Sequence, residues 1–186
     1  SAPEHMQSPV FTSPVLTKDA MYLSVGGQLM SLGLASGAVD WSFTVSGNIR
    51  EDLSYHNDVL YMVRDGAEPQ LYAIMPHNGG VIYKRPLASQ VQSAPVTSKD
   101  RLYIIDGETL LSLDAVTGQD EWASEALLTP GFTPAVTGNY VVGVTKQKKV
   151  AALDAEFGQV TWEVPVSGDI THDPIIFGDW TIISST

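Results

Sequence analysis

The sequence predicts an all-β fold made of one copied unit, on three observations. The first is a repeat: a small residue, Gly six positions on and an aromatic four beyond that occur four times, as Ser31…Gly37…Trp41, Ala73…Gly79…Tyr83, Ser112…Gly118…Trp122 and Ala152…Gly158…Trp162. The aromatics stand 42, 39 and 40 residues apart, and a fixed period near 40 marks one supersecondary unit copied and stacked. The second is the rhythm of apolar runs, three to six residues long and separated by Asp/Asn/Gly/Lys turns, which is the pattern of antiparallel meanders. The third is negative. No window holds a 3.6-residue apolar period over ten or more positions, so almost no helix is expected. Four short strands in each forty-residue unit is the sequence form of a β-propeller blade.

The elements follow in order. Blade one, 13–51, opens on Ser13-Pro-Val, continues through Lys18-Asp-Ala-Met-Tyr-Leu and closes on the Trp41 motif. Blade two, 52–92, has Leu53-Ser-Tyr where the others have a proline, then Asn57-Asp-Val-Leu-Tyr-Met, then an inserted hairpin loop Arg64-Asp-Gly-Ala-Glu-Pro-Gln70. Blade three, 93–132, begins Ala94-Pro-Val and Lys99-Asp-Arg-Leu-Tyr-Ile; blade four, 133–172, begins Thr133-Pro-Ala and Gly138-Asn-Tyr-Val-Val-Gly. Residues 173–186 supply the first two strands of a fifth, about four and a half blades in all, and the sequence stops in mid-repeat. Self-association into a larger ring, an open arc, and natural sequence beyond these residues are the three expectations that follow. Residues 1–12 read as a cloning-site remnant, Ser1-Ala-Pro-Glu-His-Met6, plus an N-terminal extension.

Of the 186 residues 44% are hydrophobic and 17% charged, which places the chain among folded globular proteins. Twenty-one acids against ten bases give a net charge of −11, a sign that repels phosphate backbones and anionic lipid; nucleic acid is not an expected partner. No apolar stretch approaches the roughly 18 residues of a membrane span, so membrane insertion is not expected either. The basic cluster Lys146-Gln-Lys148-Lys149 falls between two apolar runs and reads as a solvated hairpin turn. There is no cysteine, which removes disulfides, thiolate metal sites and cysteine nucleophiles together.

Copies three and four, Leu113-Asp114-Ala-Val-Thr-Gly118…Trp122 and Leu153-Asp154-Ala-Glu-Phe-Gly158…Trp162, resemble the tryptophan-docking motif of the pyrroloquinoline-quinone (PQQ) type propeller repeat. The resemblance implies that each Trp ring stacks between the small residue of its own motif and the Gly peptide of the neighbouring blade. Ser31, Ala73, Ser112 and Ala152 would leave room for a ring, and the glycines would let it approach bare backbone. Gly33 and Met75 stand where the family has Asp, and Tyr83 replaces Trp, so blades one and two are expected to be looser than three and four. The family includes quinoprotein dehydrogenases that hold the quinone and calcium. It also includes non-catalytic members, such as a propeller lipoprotein of the bacterial outer-membrane assembly machine and stress-sensing luminal domains.

The residues point away from catalysis. A quinoprotein site resembling the family's would call on adjacent cysteines in many members, and Asp114 and Asp154 match the structural Asp of the repeat. His5, His56, His77 and His172 lack zinc-site spacing, and Asp65, Glu68, Asp106 and Glu108 lack that of a calcium loop. Ser24, Ser112 and Ser167 have no evident His partner, so no nucleophilic constellation, metal or cofactor is expected. What remains is surface. The expected function is a non-catalytic protein-binding or scaffold module, bacterial and periplasmic or otherwise extracytoplasmic by resemblance. The alternative is a fragment or half-ring of a larger propeller belonging to a quinoprotein dehydrogenase or a sensor. Two loops are the candidates for a protein partner: 64–70, with Asp65, Glu68 and Pro69, and the apolar connection with Leu127, Leu128 and Phe132, which reads either as inter-blade core or as a binding patch.

Overall fold

A computed structural model describes residues 12–49 and 52–186, with backbone alone at 125–127. Residues 1–11, His5 among them, lie outside the described part. Every regular element among the described residues is a β-strand. The first sheet is β1 (Val15–Leu16), β2 (Ala20–Val25), β3 (Gln28–Gly33) and β4 (Val39–Thr44), antiparallel and in sequence order. The second joins β5 (Asn48–Ile49), β7 (Val59–Asp65), β8 (Gln70–Ile74) and β9 (Val81–Pro86), with β6 (Ser54–His56) also pairing β7. These two sheets make up one compact unit, ending at Gln90.

The other unit, from Val91 on, holds two more four-stranded meanders. One is β10 (Val96–Ser98), β11 (Arg101–Asp106), β12 (Thr109–Asp114) and β13 (Asp120–Leu127); the next is β14 (Ala135–Val136), β15 (Tyr140–Val144), β16 (Lys149–Asp154) and β17 (Val160–Pro165). A two-stranded piece, β18 (Ile175–Phe177) with β19 (Trp180–Ile182), follows. Two details differ from the sequence reading. β5 lies before residue 52 yet pairs with β7, and Thr12 is buried, its hydroxyl accepting from the Ser24 amide at 3.3 Å, instead of trailing as an extension.

Burial explains the sequence rhythm. The middle strands are covered on both faces: Tyr22–Val25, Leu29–Leu32, Leu60–Val63 and Leu71–Ile74 are each buried without interruption. Strands walled on both sides read as continuous apolar runs, whereas β4 and β9 alternate between half-buried and exposed positions, as strands with one face packed and the other in water do. In the first unit Tyr22, Leu29, Ile49, Leu60 and Tyr72 form the core, with Trp41 and Phe43 packed on it. In the second, Tyr103, Leu110, Leu128, Val141 and Leu153 do so, with Trp122 against them. Hydrogen bonds one repeat apart tie sheet to sheet: Ser13 N to Asp52 Oδ1 at 2.7 Å in the first unit, Thr133 N to Asp173 Oδ1 at 2.9 Å in the second.

Candidate functional site

The repeated residues meet as two kinds of contact. Within each sheet the small residue faces the aromatic across the ladder, Ser31 opposite Trp41, Ala73 opposite Tyr83, Ser112 opposite Trp122 and Ala152 opposite Trp162. A register shift follows immediately in all four sheets. Between sheets of one unit, the Trp41 ring covers Gly79, where an added Cβ would stand 2.7 Å from Cε3. Its Nε1–H donates to the Pro76 carbonyl at 2.7 Å. Trp122 covers Gly158 in the same way and donates to the Ala155 carbonyl at 3.2 Å. Trp162 remains 38% exposed on β17, and Tyr83 is half-buried on β9.

Asp114 and Asp154 hold the turns before these glycines. Asp114 Oδ1 accepts from the Val116 amide (3.1 Å), the Thr117 amide (2.7 Å) and the Thr117 hydroxyl (2.8 Å); Asp154 Oδ1 accepts from the amides of Glu156 (2.8 Å) and Phe157 (2.9 Å). The Thr117 hydroxyl and amide hold the Asp114 carboxyl below the usual aspartate range. Copies one and two keep the turn without Asp. All four turns share the same backbone bond, from Gly37, Gly79, Gly118 or Gly158 N–H to the carbonyl four residues back. Ser36 Oγ accepts from the Ala38 amide at 3.2 Å, and Asn78 Oδ1 from the Gly80 amide at 2.8 Å.

The loop candidates divide by burial. On the 64–70 hairpin Glu68 is exposed and its carbonyl accepts from Arg64, Asp65 caps the Gly66 amide at 2.7 Å, and Pro69 is buried. Leu128 is fully buried in the second unit's core, its methyls filling the space that Gly143 leaves. The Pro69 and Leu128 side chains are thus buried, Leu128 in the core, which is one of the two readings the sequence leaves open for its connection. The Leu127 side chain lies outside the described residues. Phe132 is half-buried and lines a depression of about 320 Å³ with Val144, Lys146, Lys148 and Asp169. The basic turn is paired with acids: Lys146 with Glu108, Lys148 with Asp169 and Lys149 with Glu163.

Each unit also carries a groove between successive sheets, at the same place in the repeat. In the first it has a volume of about 390 Å³ and is lined by Tyr22, Trp41, Tyr55, Asp40 and Asp58; in the second, about 430 Å³, by Arg101, Tyr103, Tyr140, Asp154 and Glu156. Sequence reasoning passed over Tyr22, Asp40, Tyr55 and Asp58. The signal was in the repeat columns, where Lys18-Asp19-Ala20 aligns with Lys99-Asp100-Arg101. Among the described residues no three His, Asp or Glu side chains gather as metal ligands. His56 sits half-buried in β6, His77 lies exposed beside Pro76, and His172 Nδ1 is 2.9 Å from the Thr171 hydroxyl.

Antiparallel four-stranded blades joined by indole-on-glycine contacts define a PQQ-type β-propeller repeat protein. The chain belongs to the PQQ-like family described as Outer membrane protein assembly factor BamB, whose profile matches residues 25–179. It is 28% identical over 118 residues to an Outer membrane protein assembly factor BamB from Moranella endobia, a match covering 56% of this chain and 29% of that protein. The fold resembles BamB from Moraxella catarrhalis with a TM-score of 0.75 at 17% identity, covering 97% of this chain and 59% of that one. It also resembles a europium-containing methanol dehydrogenase, TM-score 0.64 at 14% identity, over 84% of this chain and 42% of the other. The chain thus spans less than two thirds of each of these proteins.

Proposed function

We propose that this chain is a non-catalytic, protein-binding scaffold module that works outside the cytoplasm of a bacterial cell, in the assembly of outer-membrane proteins for which its relatives are named. The supporting observation is the employment of the repeat residues. Trp41 on Gly79, Trp122 on Gly158, and Asp114 and Asp154 in their turns serve blade-to-blade packing. Those contacts leave the exposed loops and grooves of a rigid scaffold as the surfaces available for recognition.

Photo-crosslinking groups at Glu68 and Phe132 in cells of a bacterium with an outer membrane test the reading. The expected result is an adduct with a component of the outer-membrane assembly machinery from at least one of these positions, and none from an exposed control such as Gln119. Adducts spread evenly over all three positions, or dye-linked alcohol oxidation by the purified chain with PQQ and calcium, would overturn it.

A further inference from the structure

The two equivalent grooves differ in charge balance: the second sets Lys99 and Arg101 against Asp154 and Glu156, whereas the first has one lysine against three aspartates. In the second unit Arg101 lies in the groove, its Nη1 donating to Ser112 Oγ at 3.3 Å and pairing with Glu121 at 3.5 Å. In the first unit the same column holds Ala20, which leaves the position of that guanidinium open. The walls there are aromatic. Tyr22 lies 6.0 Å from Trp41 and 6.3 Å from Tyr55, centroid to centroid, the two tyrosine rings within 14° of parallel. Carboxylates line the rim: Asp19, Asp40 and Asp58 are exposed, and Asp58 Oδ1 accepts from the Tyr55 hydroxyl at 3.2 Å. Against these three acids stands Lys18.

Burial pushes both phenols up; at Tyr22 the Thr17 and Ser31 hydroxyls oppose the rise while Asp58 and Asp40 add to it, and at Tyr103 Arg101 and the Ser112 hydroxyl oppose it while Asp154 adds to it. The second groove holds its own cation, and the first has the surroundings of a cation in its place. Aromatic faces with carboxylates at the rim attract guanidinium and ammonium groups, and about 390 Å³ is at the small end of ligand-sized clefts.

We propose that the groove between the first two sheets receives a lysine or arginine side chain from a basic segment of a protein partner. The inference rests on the binding-module reading and names the partner's chemistry. Charge complementarity selects this occupant, because a net charge of −11 draws basic segments in and the rim acids place the cationic head over Tyr55 and Tyr22.

The test is a nuclear magnetic resonance titration of the full chain with an acetylated, amidated Gly-Arg-Gly-Lys-Gly peptide. Ring resonances of Tyr22, Trp41 and Tyr55 are expected to move with one shared midpoint while those of Tyr103 and Trp122 stay still. Asp58→Asn and Asp40→Asn should each weaken the midpoint about fivefold. Ala20→Arg, which supplies the missing guanidinium in place, should abolish the response with circular dichroism unchanged. No saturable shift, equal shifts around Trp122, indifference to both Asp→Asn changes, or equal binding of free arginine and peptide would each overturn the proposal. A silent groove with specific Glu68 or Phe132 crosslinks overturns this inference alone; absence of both overturns the module reading.

Discussion

The indole N–H of Trp41 donates to the main-chain carbonyl of Pro76 at 2.7 Å, carrying the first sheet onto the second. Its counterpart in the other unit, Trp122 on Ala155 at 3.2 Å, is made by a motif with an Asp that the first copy lacks. The indole contact is therefore independent of the Asp. It depends on bare backbone at the glycine three residues further on, which suggests the first test.

Gly79→Ala should destabilise the protein far more than Gly37→Ala. Both residues have positive φ, +71° and +66°, so each substitution bears a left-handed backbone cost of about 1 kcal/mol. At Gly37 nothing lies within 4 Å of the new methyl, whereas at Gly79 it would meet Trp41 at 2.7 Å and lift the indole from its seat. Urea unfolding should give about 1 kcal/mol for Gly37→Ala and about 3 kcal/mol for Gly79→Ala. Equal losses would remove the indole contact from the account.

Asp114→Ala should cost about 1 kcal/mol at neutral pH, by the logic of a side-chain cap on orphan amides. Because the folded carboxyl is held below its ordinary value of 3.8, chiefly by the Thr117 hydroxyl and then its amide, its contribution is complete above that value. It disappears as pH falls through the lowered folded value. The gap between native chain and variant in denaturant midpoints should be constant from pH 5 to 7 and narrow as pH falls below the ordinary aspartate value. Amide exchange gives a companion measure: Val116, Thr117, Glu156 and Phe157, each bonded to an Asp, should exchange more slowly than the corresponding amides of copies one and two, where Ser36 and Asn78 each cap one amide further along the turn.

Leu128→Ala should cost about 3 kcal/mol, the usual toll of emptying a fully buried leucine site. Gly143→Ala alone should also destabilise, since its methyl would come 2.7 Å from Leu128 Cδ1. Combined, the two should recover part of the loss, because the new methyl enters the space the leucine vacates. Strict additivity in thermal unfolding would mean the two residues do not share that space.

Tyr103→Phe removes the hydroxyl that donates to the Ala155 carbonyl at 3.1 Å, an acceptor that keeps its bond from Trp122. The loss should be modest, about 1 kcal/mol. Burial raises the folded Tyr103 phenol above its ordinary value of 10.0, so the folded state favours the neutral form. That contribution is present below pH 10 and fades as pH rises through the raised value. Alkaline denaturation curves should show the native chain losing stability over this range more steeply than Tyr103→Phe.

The blades were legible in the sequence because their physics is local and repeated. A strand covered on both faces needs an unbroken apolar run, a tight turn needs Gly at positive φ, and a ladder position facing an indole needs Ser or Ala. The 64–70 and 127–132 segments were legible only in part. Glu68 and Leu128 look alike as loop residues, and what separates them is the strand each leads from or into: one turns outward at a hairpin tip, the other folds down onto Gly143.

Residue order alone determined the repeat, its period and its aromatic and glycine columns, since each is a pattern along the chain. Tertiary structure decided what stands beside what one repeat away. Ser36 and Asn78 take over for the missing Asp through turn geometry, and β5 and Thr12 join sheets from outside the expected boundaries. The groove of Tyr22, Trp41 and Tyr55 with Asp40 and Asp58 draws on two sheets at once. No single blade contains that groove, because charge and ring come together only where adjacent sheets meet.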